Sequence, residues 1–156
     1  MAVKPIPEGY HTVTPYLTLR SAAEALEFYA KAFGAEEVFR MPTPDGGIAH
    51  AEMRIGDSML MLSDEMLERG VRSAETLGGT PAGQFLYVED VDAVFHRAIQ
   101  AGGIELMPPT NMFWGDRMSK LRDPFGHEWS VATHVEDVPP GEMEKRAAEF
   151  MGKEKE

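Results

Sequence analysis

His50 and Glu52 stand two residues apart in a segment, 48–55, that alternates apolar and polar side chains. On a strand that spacing puts both side chains on one face. An imidazole that titrates near neutrality beside a carboxylate can act as a general base with its orienting partner, or supply two ligands to a divalent ion. His50 and Glu52 are therefore the catalytic candidates. The competing role is structural, a hydrogen bond between the two or to the surroundings of Arg54 at the rim of a sheet. Phe113-Trp114-Gly115-Asp116-Arg117 differs in kind. Two large aromatics followed by glycine are costly to bury in a loop, and loops at a cleft mouth often carry binding residues. Phe113 and Trp114 are candidate ligand contacts, against a role as packing plug or subunit contact. Arg117 could pair with a ligand carboxylate, or with Asp116 or Asp123. His11, His96, His127 and His134 are weaker candidates: a strand end, a solvated helix face and a turn account for the first three.

Several classes of chemistry are missing from the chain. It has no cysteine, which removes disulfides, thiolate metal sites and cysteine nucleophiles. There is no phosphate loop, no dinucleotide fingerprint and no Gly-x-Ser-x-Gly elbow, which argues against nucleotide-driven and serine-hydrolase chemistry. A formal charge of −11 disfavours nucleic acid and tolerates cationic small molecules better than anionic ones. At 156 residues, 43% hydrophobic and 26% charged, the chain suits one folded domain. It holds no apolar run of membrane-spanning length and no signal-peptide pattern near its start, so a cytoplasmic location without membrane contact is expected.

The elements that must position these residues occur twice, 69 residues apart. That step pairs Leu17 with Leu86, Ala32 with Ala101, Gly34 with Gly103 and Ser21 with Asp90. Residues 11–20 alternate, with Val13, Leu17 and Leu19 on one face and Thr14, Tyr16 and Thr18 on the other, as in a half-buried strand. Ser21-Ala22-Ala23-Glu24 has the form of a capping box, Leu26, Tyr29, Ala30 and Phe33 recur at helical spacing, and Gly34 stops the helix. Strands follow over 36–41, 48–55 and 58–63, the last two joined through Gly56-Asp57. The second copy predicts strand 84–89, a helix from Asp90 to near Gly102-Gly103, and strands 104–107, 117–122 and 128–134.

The fold class is thus α+β. The first βαβββ module covers 10–63, a connector 64–82, the second module 83–134, and a tail helix 135–156. Two such modules form a cupped mixed sheet around a central cleft. If Gly56 and Asp57 make the turn, residue numbers across the hairpin sum to 113, placing Glu52 opposite Met61 and His50 opposite Ser63. Tyr16, Phe85 and Tyr87 then lie on the cleft faces of their strands and could grip a flat or apolar ligand. Six of the methionines, Met53, Met59, Met61, Met107, Met112 and Met118, fall on or near strands. As core filler they would be unremarked, and along a pocket they would adapt to varied ligands.

This order of elements, with Phe28-Tyr29…Phe33-Gly34-Ala35 in the first copy and Asp123-Pro124-Phe125-Gly126-His127-Glu128-Trp129 in the second, resembles the vicinal oxygen chelate superfamily of glyoxalases, bleomycin-resistance proteins and extradiol dioxygenases. The resemblance covers roughly residues 10–135. His50-Ala51-Glu52 and the Phe113–Arg117 run are similar to its PhnB-like branch. It implies a homodimer, a small-molecule site between sheets and, in its enzymes, a divalent metal held at positions that fall here on Thr14, Met61, Gly83 and Ser130. None of these four suits such a metal, so no metal and no other cofactor is expected. The expected function is binding of a partly aromatic or cationic small molecule in the cleft, through Tyr16, Met61, Phe85, Tyr87, Phe113, Trp114 and Arg117. The alternative is a metal-dependent lyase, isomerase or dioxygenase with ligands relocated around His50 and Glu52.

Overall fold

A computed structural model describes residues 2–153. The first half runs β1 (Tyr16–Leu19), α1 (Ala22–Phe33), β2 (Glu36–Pro42), β3 (Ile48–Ile55) and β4 (Ser58–Asp64). After a 3-10 turn at Leu67–Arg69 and the short α2 (Ala74–Leu77) come β5 (Gly83–Tyr87), α3 (Val91–Gln100), β6 (Ile104–Asn111), β7 (Asp116–Arg122) and β8 (Glu128–His134), then α4 (Pro140–Lys153). Two four-stranded mixed sheets result, ordered β1-β4-β3-β2 and β5-β8-β7-β6. In each, the first strand pairs parallel with the last and the rest are antiparallel. The expected tail helix is α4, and residues 154–156 of that expectation lie outside the described residues.

Local chemistry explains why the halves match. α1 opens on Ser21, whose hydroxyl accepts the Glu24 N–H, and α3 opens on Asp90, whose carboxylate accepts the Ala93 N–H. The next orphan amide of each helix is met from the end of the last strand: Ala22 N–H bonds to Asp64 at 2.7 Å and Val91 N–H to the Thr133 hydroxyl at 2.9 Å. Each helix therefore leaves its strand at an angle fixed by two side-chain acceptors. The apolar faces of α1 and α3 bury against both sheets in one continuous core. At its centre Trp129 lies 5.1 Å from Tyr29 and 4.7 Å from Phe33, ring to ring. Trp129 is fully buried, and truncating it to alanine would cost about 3–5 kcal/mol.

The first hairpin keeps the expected register, with Ile55 opposite Ser58 and Glu52 opposite Met61. Gly56 alone has a positive φ there, +58°, which suits a turn whose first central residue is glycine. The repeat is not strictly gapless, however. Residue numbers across β7 and β8 sum to 250, as in Arg122 with Glu128, where an unbroken step of 69 would give 251. The second turn holds one residue more, and β7 follows β3 at a step of 68. The cause is Asp123, whose carboxylate accepts the Phe125 and His127 N–H groups at 2.9 and 3.0 Å and shapes a wider loop.

Two strands also differ in extent from expectation. β1 begins at Tyr16 and not at His11, because Pro15 has no N–H to carry the ladder further, and Val13 is 83% exposed. β6 continues through Pro108-Pro109 to Asn111. Prolines are tolerated there because β6 is an edge strand, and its register shifts between Met107 and Thr110.

Candidate functional site

The buried side chains of each sheet face the helices: Leu17 and Leu19, Leu60 and Leu62, Ala51 and Met53 in the first sheet, Trp129 and Val131, Ser119 and Leu121 in the second. Strand alternation puts Tyr16, His50, Glu52 and Met61 on the opposite, open face of the first sheet, and Phe85, Tyr87, Met118, Lys120 and Ser130 on that of the second. Tyr16, Phe85 and Tyr87 keep 50%, 48% and 64% of their surface exposed, so their rings stand free to meet a ligand.

On the first sheet His50 and Glu52 do come together. The His50 Nε2 lies 3.8 Å from Glu52 Oε1, and the Tyr16 hydroxyl lies 2.9 Å from His50 Nδ1. The Phe39 ring, paired with Glu52 across β2 and β3, stands 6.4 Å from the imidazole. Sequence reasoning missed Tyr10, whose hydroxyl donates to Glu52 Oε1 from the chain ahead of β1. Burial, then the Glu52 carboxylate, raise the Tyr10 phenol to about 12, so it stays a donor at neutral pH. No periodicity marks residue 10, and only the fold brings it across 42 positions to Glu52. The arrangement can hold a carboxylate and an imidazole in fixed orientations within a ring of aromatic surface. It can therefore accept a proton or attract a cation.

On the second sheet the organising group is Asp116, 3% exposed, which sequence reasoning treated only as a partner for Arg117. Asp116 Oδ2 accepts from the Tyr87 hydroxyl at 2.9 Å and the Trp114 indole N–H at 3.1 Å, while Oδ1 meets His134 Nδ1 at 2.8 Å. Burial alone would raise this carboxyl; hydrogen bonds from His134, Tyr87 and Trp114 outweigh it and hold it below the usual range. His134 also meets Asp137 at 2.8 Å, and its hydrogen bonds to Asp116 and then Asp137 raise its pKa. Trp114 is thus fixed in position, with Phe113 edge-on to it at 5.0 Å. Phe113 in turn packs 5.3 Å from Phe150 of α4, and Arg146 of α4 donates to the Phe113 carbonyl.

Arg117 alternates to the helix side. It bonds Asp92 at the start of α3 at 2.7 and 2.8 Å and Asn111 at 3.2 Å, and not Asp116 or Asp123. Asp123 is itself taken by Tyr29 and Trp129. His127, a turn residue, reaches the Thr18 carbonyl of β1 at 3.1 Å and so joins the two halves. His96 is exposed on α3.

At the positions where related enzymes would hold a divalent ion, Thr14 precedes β1, Met61 lies opposite Glu52, Gly83 opens β5 and Ser130 pairs with Phe85. Two hydroxyls, a thioether and a glycine do not fit such an ion. Among the described residues no three His, Cys, Asp or Glu side chains form a group that could hold a metal.

Known proteins share this fold. An uncharacterized protein of Mycobacterium tuberculosis is 42% identical over 135 residues, 85% of this chain and 79% of that one. The YjdN protein of Escherichia coli is 28% identical over 140 residues, covering 76% and 92%. Among solved structures, an Arabidopsis thaliana gene product matches with a TM-score of 0.65 at 23% identity, over 79% of this chain and 98% of that one. A PhnB protein from Bacillus cereus matches with a TM-score of 0.63 at 22% identity, over 79% and 99%. No helix among the described residues is long and apolar enough to cross a membrane. With a superfamily profile matching residues 10–131, the chain belongs to the Glyoxalase/Bleomycin resistance protein/Dioxygenase superfamily.

Proposed function

We propose that the protein binds a small, partly aromatic or cationic molecule on the open faces of its two sheets, without the metal that enzymes of the superfamily use. The observation that carries this reading is a set of exposed rings on both open faces, Tyr16 beside a carboxylate and an imidazole that are already oriented on the first sheet, and Phe85 with Tyr87 on the second. Exposed aromatic faces beside Glu52 offer stacking and cation–π surface, worth about 0.5–2 kcal/mol per contact. A net charge of −11 favours the same ligands. Met61, Trp114 and Phe113 complete the walls, with Trp114 as a rigid edge held by Asp116. Arg117, engaged by Asp92, contributes by holding the loop's second end to α3.

The working unit in this proposal is a cytoplasmic homodimer. Val38, Phe39 and Met41 on β2, with Ile104 and Leu106 on β6, leave apolar side chains exposed along edge strands that a second copy would cover. Light scattering on the purified chain reads this directly: a monomer at micromolar concentration refutes it.

Binding is tested on protein purified without added metal. Elemental analysis is expected to find no stoichiometric zinc, iron, nickel or manganese, and Trp114→Ala to weaken any ligand found by thermal-shift screening. Stoichiometric metal would sink the metal-free reading. The second reading, a metal-dependent lyase, isomerase or dioxygenase, is favoured by the 3.8 Å approach of His50 to Glu52. It requires metal content to fall in both His50→Ala and Glu52→Ala.

A further inference from the structure

The two halves dock through their hairpin tips, and the two docking places are unequally filled. The β7–β8 tip sets Phe125 edge-on to Phe28 and Tyr29 of α1, at 6.0 and 6.3 Å, and its His127 ring bonds the Thr18 carbonyl on the free edge of β1. A step of 69 carries Thr18 to Tyr87, Ala25 to Val94 and Phe28 to Arg97. There the β3–β4 tip should play the same part. It is one residue shorter and has Gly56-Asp57 where the other has Phe125-Gly126, so neither ring nor imidazole is supplied.

What remains is a groove of about 680 Å³, lined by Phe33, Ile55, Leu60, Leu86, Val94 and Arg97. Ligand pockets generally span about 300–1,000 Å³. One side of the groove is the free edge of β5. Val88 N–H bonds to Ala132 on β8 and the Val88 carbonyl accepts the Thr133 hydroxyl, so the neighbouring Tyr87 peptide groups point the other way, toward the groove. Among the described residues nothing hydrogen-bonds to the Tyr87 carbonyl, and the Arg97 side chain makes no hydrogen bond or ion pair.

We infer that this groove binds a small planar aromatic molecule bearing an N–H or O–H donor, seated as Phe125 and His127 are seated in the other half. The ring stacks on the Arg97 guanidinium, where Phe28 stands in the counterpart, and the donor meets the Tyr87 carbonyl. Asp57, Glu89 and Asp90 at the rim exclude carboxylates and leave neutral or cationic aromatics. The site goes beyond the open-face reading and uses neither His50 nor Glu52.

Indole is the probe. Titrated into ¹⁵N-labelled protein, it is expected to give saturable shifts at the Leu86, Tyr87, Val94 and Arg97 amides. 1-Methylindole, which lacks the donor, should bind roughly two- to tenfold more weakly, the factor a neutral hydrogen bond supplies. Ala93→Trp, on the exposed side of α3 that lines the groove, should abolish the shifts, and Arg97→Met should weaken binding in an unaltered fold. Shifts that fail to saturate, or that persist in Ala93→Trp, overturn the proposal. So does their appearance on raising protein concentration without indole, because a second copy would then occupy the groove. Ligands of the open face shift Tyr16 and Met61 and leave Val94 and Arg97 unmoved, so either proposal can fail without the other.

Discussion

Replacing Asp123 with asparagine exchanges one carboxylate oxygen for an NH2 group of nearly the same shape, yet it should be among the costliest single substitutions in this molecule. Asp123 is 1% exposed and accepts four hydrogen bonds. Oδ2 takes the Tyr29 hydroxyl at 2.6 Å and the Trp129 indole at 2.9 Å, and Oδ1 takes the Phe125 and His127 amides. An asparagine oxygen can replace only one of these acceptors. With the amide nitrogen at the Oδ1 position, two backbone N–H groups lose their partner. With it at Oδ2, the Tyr29 hydroxyl can rotate to accept, but the Trp129 N–H is orphaned. The second arrangement is cheaper. One buried donor without a partner costs about 1–3 kcal/mol, and the surviving bonds lose the extra strength of a charged acceptor, about 1 kcal/mol more. The expected loss is therefore about 2–4 kcal/mol, out of the roughly 5–15 kcal/mol of a typical domain. Urea unfolding followed by tryptophan fluorescence measures it, at unchanged m-value. Tyr29→Phe alone should cost less, and the double variant should cost less than the sum of both. A loss below about 1 kcal/mol in Asp123→Asn would refute the claim that this carboxylate joins the halves.

Three other outcomes follow from the same geometry. At Gly115, where φ is +102° and an added Cβ would meet the Glu136 carbonyl at 2.1 Å, alanine should push the aromatic loop from the tail and cost about 1–3 kcal/mol or more in a thermal melt. The raised pKa of His134 means that its protonated form stabilises the fold, fully below about pH 6.5 and decreasingly as pH rises through its higher folded value; Asp116, lowered, loses its contribution as pH falls below about 4. His134→Gln should accordingly flatten the decline in stability between neutral and mildly alkaline pH, read from denaturation midpoints, and an unchanged slope would count against the pairing. Glu52→Gln should bring the Tyr10 phenol down from about 12 toward its ordinary value, seen by NMR titration of the tyrosine rings, with burial alone remaining to raise it.

What could be read from the chain followed the strength of local signals. Gly56-Asp57 between two alternating runs fixed the β3–β4 register, and with it the shared face of His50, Glu52 and Met61. The capping residues Ser21 and Asp90 located both helices. Where a long-range contact decided the outcome, local pattern misled or was silent. Alternation over 11–20 took no account of Pro15 ending the ladder. The step of 69 hid one extra residue, because Asp123 builds its wider turn from backbone amides that leave no pattern in spacing. Tyr10 and Asp116 were missed since the partners that make them hubs, Glu52, Tyr87 and His134, lie 18 to 42 positions away. Asp123 opening a Pro-Phe-Gly turn was the one hub with a readable sign.

The bond from His127 back to Thr18 spans 109 positions, and Phe125 closes on Phe28 and Tyr29 over a similar length of chain. During synthesis the first half therefore emerges with the aromatic side of α1 uncovered and the edge of β1 unsaturated. Both wait for a plug made near the end of the second half. At about 5–20 residues per second that interval lasts roughly 5 to 20 seconds, long on the scale of helix and hairpin formation. An isolated first half should aggregate where the whole chain does not. Duplication in this protein has produced a second unit that finishes the fold of the first, while its own counterpart place stays open.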